Sequence, residues 1–108
     1  MIVTPAAKVA GHRVNQTLGL VRGNTIRARH LGRDILAGLK SLIGGEIEEY
    51  TKIMAESREQ SIDRMTAEAE GLGANAVTDV RFTTSYLMGG AAEILAFGNA
   101  VVLEPEEE

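Results

Sequence analysis

Residues 29–77 read RHLGRDILAGLKSLIGGEIEEYTKIMAESREQSIDRMTAEAEGLGANAV, and the order of patterns in this stretch decides the architecture. Ile35, Leu36, Leu39, Leu42 and Ile43 recur at three- and four-residue steps, which is one face of a helix over residues 31–43. Gly44-Gly45 ends that helix, since a left-handed cap costs glycine little. A second helix is predicted from Glu46 to Leu72. Ile47, Tyr50, Met54, Met65, Ala69 and Leu72 lie on its apolar stripe, which Arg58 and Ser61 interrupt. Glu46, Glu48 and Glu49 crowd its first turn, where the helix dipole favours negative charge. Glu56, Glu59, Asp63, Glu68 and Glu70 supply the polar face. Gly71 and Gly73 weaken and then stop the helix.

Outward from this stretch the period falls to two. Thr4-Pro5 opens an extended lead-in. Residues 12–28 read as a strand broken once, with Val14, Gln16, Leu18 and Leu20 on one face and Arg13, Asn15, Thr17, Gly19 and Val21 on the other. Gly19 marks a bulge or a close backbone approach, and Arg22-Gly23-Asn24 reads as a turn. On the other side, residues 76–88 alternate Val80, Phe82, Tyr86 and Met88 with Asp79, Arg81, Thr83 and Ser85. Gly89-Gly90-Ala91-Ala92 reverses the chain into a third strand, Glu93–Leu103. That strand is apolar on both faces, so it is central or buried by a second chain. Residues 104–108 are an acidic tail, expected to be disordered.

The expected fold is α+β in the order β-α-α-β-β. It is a small antiparallel three-stranded sheet with two helices on one face, forming a single domain over residues 1–108. The second sheet face keeps apolar residues that nothing left in the chain can cover. That deficit predicts a homo-oligomer.

Bulk properties agree. The chain has 108 residues, 44% of them hydrophobic, and no cysteine or tryptophan. A chain of this size buries only roughly 60–70% of the surface its unfolded form exposes, so its core is modest. Without cysteine, disulfides, thiolate metal sites and thiol catalysis are excluded. No apolar run reaches the roughly 18–20 residues that span a bilayer. Met1-Ile2-Val3-Thr4-Pro5 lacks a signal-peptide pattern, so a cytoplasmic location is expected. The net charge of −4 is unevenly spread. Residues 1–45 carry seven Lys/Arg and one acid, whereas residues 46–108 carry four Lys/Arg and fourteen acids. The two halves are therefore expected to face each other, within a subunit or between subunits.

Arg33-Asp34-x-x-Ala37-Gly38, Gly44-Gly45 followed by Tyr50, and Leu72-Gly73-Ala74-Asn75-Ala76-Val77 together resemble the YbjQ-like family, also labelled heavy-metal-binding. The resemblance spans roughly residues 4–103. It implies a β-α-β-β core related to dodecin-type subunits, closed into a ring of five. Two positions depart from the family pattern: Glu46 stands where Arg is common, and Asn75 where Asp is usual.

Candidate ligand residues are Arg33, Asp34, Gly44, Gly45 and Tyr50. A double glycine ahead of a helix N-terminus offers backbone amides to a small anion; the blander reading is a tight corner between helices. His30 and Asp34, four apart, share a face and could give a metal ion two ligands, but two do not hold zinc. Arg13, Arg22, Arg27, Arg29, Arg33, Lys8 and Lys40 could meet phosphate or nucleic acid; pairing with the Glu-rich helix is plainer, since no aromatics are interleaved for stacking. Gly38-Leu39-Lys40-Ser41 fails the phosphate-loop spacing. The resulting expectation is a homo-oligomeric binding or structural module whose main partner is itself, with a metal ion or small anion as ligand and no membrane partner. The alternatives are an enzyme with an inter-subunit site built from Asp34, Tyr50, Arg33 and His30, and a nucleic-acid binder using the arginine-rich half. No cofactor and no reaction class is readable.

Overall fold

The structure, a computed structural model, describes residues 1–27, 45–86 and 91–107. The expected helix over residues 31–43 and the Gly89-Gly90 part of the connection lie outside the described residues. The elements are β1 (Ile2–Val3), β2 (His12–Arg27), α1 (Gly45–Gly71), β3 (Ala76–Tyr86) and β4 (Ala92–Pro105). They form an α+β unit in which α1 packs on a mixed four-stranded sheet of order β1-β3-β4-β2.

The sheet corrects the expected three antiparallel strands. Ile2 and Val3 pair in parallel with Ala76 and Val77. Backbone bonds then continue from Thr4 N to Val77 O at 3.0 Å and from Val80 N to Thr4 O at 3.1 Å. The lead-in is β-branched up to Pro5, which has no N–H to donate, and one further backbone bond runs from Asp79 N to Ala6 O at 3.1 Å. The acidic tail is also corrected in part. Glu104 and Pro105 belong to β4, and Glu106 N bonds Gly11 O at 2.9 Å.

Strand β2 is continuous through Arg22-Gly23-Asn24, so the expected turn there is wrong. Gly23 serves a different purpose. A Cβ at this position would lie 2.3 Å from both Met65 N and Ser61 O. The helix backbone therefore rests directly on the strand, which only glycine permits. Gly19 does mark a bulge, with register shifts between Val14 and Gln16 and between Thr17 and Gly19. These shifts re-sort the predicted faces. Cross-strand pairing puts Val14, Thr17 and Leu20 on the face away from α1, and Gln16, Gly19 and Val21 on the helix side. Each inserted residue reverses the alternation beyond it.

The buried stripe of α1 is Ser57, Ser61, Met65 and Ala69, spaced at four residues as a helix face requires. Met54 is only half-buried and Leu72 is exposed, so the predicted stripe was displaced. Small side chains are selected here because the helix sits so close. The helix ends in a left-handed turn at Gly73 (φ +89°). Ala74 N bonds Ala69 O and Gly73 N bonds Glu70 O, each at 3.0 Å, which satisfies the last carbonyls.

Two apolar clusters result. Val21, Met65, Ala69, Val77, Val80, Ala96 and Ala100 form the core between α1 and the sheet. Ala76, Val101 and Leu103 form a smaller one with Val9 on the opposite face. The molecule measures 61 × 26 × 17 Å with a radius of gyration of 17.5 Å, against about 13 Å for a compact domain of this length.

Candidate functional site

The helix lies chiefly over β2 and β4 and scarcely reaches β3. Among the described residues, the opposite face of the sheet is covered at one end only, by the chain between β1 and β2, through Val9. The rest of that open face is set by pairing. Leu20 lies opposite Asn99, Arg22 opposite Phe97, Asn24 opposite Leu95 and Ile26 opposite Glu93; on the other side of β4, Arg81, Thr83 and Ser85 complete the surface. Leu20 is 61% and Ile26 55% exposed, and Leu95 and Phe97 are half-buried. On the helix side, Phe82 and Tyr86 lie beyond the helix's reach and are exposed too.

At the β2 border of the open face is a cleft of about 390 Å³, lined by Arg22, Asn24, Glu68, Glu93 and Leu95. Three elements build it: β2, β4 and α1. Asn24 Nδ2 donates to Glu93 Oε2 at 3.0 Å, and Arg64 Nη1 donates to the Asn24 carbonyl at 2.5 Å. The backbone of the residue that orients Glu93 is thus held from the helix. One guanidinium and two carboxylates share this cleft, so it can meet a molecule carrying both signs of charge.

A second cleft of about 340 Å³ is lined by Lys8, Val9, His12, Arg13, Val14, Leu103 and Glu106. His12 Nδ1 lies 3.0 Å from the Ala10 carbonyl. A carbonyl only accepts, so Nδ1 carries the proton and Nε2 is left for other contacts. Arg13 Nη2 pairs with Glu104 Oε1 at 2.5 Å, mostly in solvent.

Between helix and sheet lies a buried hydroxyl cluster. Thr25 Oγ1 is 2.8 Å from Ser61 Oγ and 3.0 Å from the Ser57 carbonyl. Ser61 Oγ also reaches the Ser57 carbonyl at 3.0 Å and the Ile94 carbonyl at 3.1 Å. It fastens α1 to both β2 and β4, and its bonds are spent on backbone and on each other, so its role is structural.

The bulge at Asp79, with φ +56°, is fixed by its own carboxylate. Oδ2 accepts from Asn99 Nδ2 at 3.1 Å and from Thr78 Oγ1 at 3.2 Å. Asn75 Nδ2 donates to the Leu103 carbonyl at 2.8 Å and Asn75 Oδ1 accepts from Leu103 N at 2.7 Å. Its side chain acts as one more rung of the β3–β4 ladder.

Of the residues expected to bind ligand, Arg33, Asp34 and Gly44 lie outside the described residues, as does His30. Gly45 begins α1, and Tyr50 lies on the same helix in its second turn. The residues that line the clefts were not singled out as a site in the sequence. Arg22 was counted only within the basic half, and Asn24 was assigned to a turn.

Metal binding was tested against the donors present. Among the described residues no three His, Cys, Asp or Glu side chains gather. His12 and Glu106 share their cleft with Lys8 and Arg13, whose charges oppose a cation. The described residues do not fit a metal ion. No described helix is long and apolar enough to cross a membrane.

A family model, YbjQ_1, described as "Putative heavy-metal-binding", matches residues 1–104. A UPF0145 protein of Dehalococcoides mccartyi is 57% identical over 104 residues, covering 96% of this chain and 100% of its own length. One from Archaeoglobus fulgidus is 54% identical, covering 95% of each chain. One from Thermus thermophilus is 52% identical over 108 residues, covering 100% of this chain and 95% of its own. In fold, the chain is similar to a crystal structure of a protein of unknown function from the DUF74 family of Pediococcus pentosaceus. That likeness has a TM-score of 0.65 at 11% identity and covers 96% of this chain and 98% of the other.

Proposed function

The chain belongs to the YbjQ family, and from that premise we propose that it is a self-associating module in which copies close over the open sheet face and together hold a small ligand. The observation that carries this reading is the half-covered sheet. Leu20 and Ile26 stand more than half exposed beside half-buried Leu95 and Phe97, on a face that no described helix covers. Apolar surface yields roughly 25 cal/mol per Å² on leaving water, so these side chains reward a partner. A second copy is the partner always at hand, and the elongated shape, 61 Å along its longest axis, leaves edges on which neighbours can register.

A ring of five is the count that the family resemblance implies, and the cytoplasm is the setting we propose from the sequence pattern. Arg33, Asp34, Gly44, Gly45 and Tyr50 are retained as a proposed site for a small anion or a metal ion, where copies meet. Support for the split-charge contact is indirect. Among the described residues the ion pair Arg13–Glu104 joins the basic half of the sequence to the acidic half.

Sedimentation velocity tests the proposal. The native chain should sediment as a multimer at micromolar concentration. Leu20→Glu with Ile26→Glu should convert it to a folded monomer, as judged by an unchanged circular dichroism spectrum. A native chain that sediments as a monomer would defeat the reading, as would a double variant that keeps its multimeric mass.

A further inference from the structure

We propose that the cleft between β2, β4 and α1 binds a free α-amino acid with a basic side chain. Its lining carries three kinds of group, each suited to one part of such a molecule. Arg22 offers a planar fork of donors that matches a carboxylate. Glu93 and Glu68 come from different elements, β4 and α1, so they can take two ammonium groups separated by a methylene chain. Leu95 provides the apolar wall along which that chain can lie.

Charge counting selects within this class. One cation and two anions line the cleft, and a dibasic amino acid carries one carboxylate and two amines. A neutral amino acid would leave one carboxylate without a cation. A diamine would leave Arg22 without its anion, and a simple anion would face both glutamates. The volume, about 390 Å³, lies within the roughly 300–1,000 Å³ typical of small-molecule sites. The site is also partly set in advance. Asn24 holds Glu93, and Arg64 holds Asn24 by its carbonyl, so less ordering is left for the moment of binding. The inference concerns a ligand and does not rest on self-association. Arg22, Asn24, Glu93 and Leu95 also border the face on which copies would close, so the ligand would sit at the rim of that contact, and the two readings are tested apart.

Isothermal titration of the full chain with L-lysine, L-norleucine and cadaverine tests it. Lysine should give saturable heat. Norleucine, which lacks the side-chain amine, and cadaverine, which lacks the carboxylate, should each bind about tenfold more weakly or worse. Arg22→Gln should weaken lysine while leaving cadaverine as it was; Glu93→Gln should weaken both. No saturable heat with lysine would overturn the proposal. Equal binding of lysine and cadaverine would also overturn it, by reducing the cleft to a plain acidic surface, and equal binding of norleucine would remove the second amine from the argument. Sedimentation of each variant in parallel separates loss of the ligand from loss of assembly.

Discussion

The two faces of the sheet are made from the same strands and have opposite fates. On the helix side, Gly23, Ser57, Ser61, Ala69 and Ala96 let α1 approach until backbone meets backbone, and all are buried. On the open side, among the described residues, only the end beneath Val9 is sealed, and Leu20 and Ile26 remain in solvent. β4 is the strand both faces share: its even-numbered residues are dry under the helix as far as Ala100, and its odd-numbered ones are half-dry as far as Asn99. The helix face therefore holds the subunit together, and the open face is where stability can be traded for association.

The hardest blow to this contrast is Gly23→Ala. The new methyl would collide with the backbone of Ser61 and Met65, which no side-chain rotation relieves. We expect a loss of roughly 2–4 kcal/mol in urea unfolding; an unchanged midpoint would show that the helix does not rest on β2. Next comes Asn75→Asp. A carboxylate cannot donate to the Leu103 carbonyl as Nδ2 does, and it sets a charge against that oxygen. About 1–3 kcal/mol should be lost, read from the same denaturation curve. A neutral outcome would show that this side-chain rung does not hold β3 to β4.

Ser61→Ala removes the hydroxyl that joins Thr25 to the Ile94 carbonyl, and should lower stability by about 1–2 kcal/mol. On the open face, Leu20→Glu should cost the subunit under about 0.5 kcal/mol while abolishing its multimeric mass. That split between folding and assembly is the signature expected of an open face and absent from the helix face. Smallest is Arg13→Gln. Its ion pair with Glu104 is largely solvated, so thermal unfolding should shift by no more than the equivalent of about 0.5 kcal/mol.

Much of this was legible before the structure. The 27-residue helix, Gly45–Gly71, was placed within about a residue at each end, because its caps are written in glycine and glutamate. β3 was legible from alternation and β4 from its apolar run on both faces, and a bulge was one of the two readings of Gly19. What escaped has identifiable causes. Ile2–Val3 is too short to show a period, and its partner β3 lies more than seventy residues away. Gly23 reads equally as a turn or a contact point until the helix is set above it. The displaced helical stripe arose because Ser57 and Ser61 look polar, whereas their hydroxyls are satisfied inside. On the open face, two bulges invert the pattern that alternation assigns to β2, so Leu20 and Leu18 part company. The cleft residues were unreadable as a site because they converge from residues 22 to 95 only through the β2–β4 pairing and the packing of α1 on it.

The central claim is that the open face of the sheet belongs against other copies of the same chain. Native mass spectrometry at low micromolar concentration addresses it in one spectrum. The account predicts a single dominant species at a whole-number multiple of the 11.5 kDa chain, five by the family resemblance, which collapses to one copy when Leu20 becomes glutamate. A dominant 11.5 kDa ion from the unaltered protein, folded and without any multimer, would contradict it.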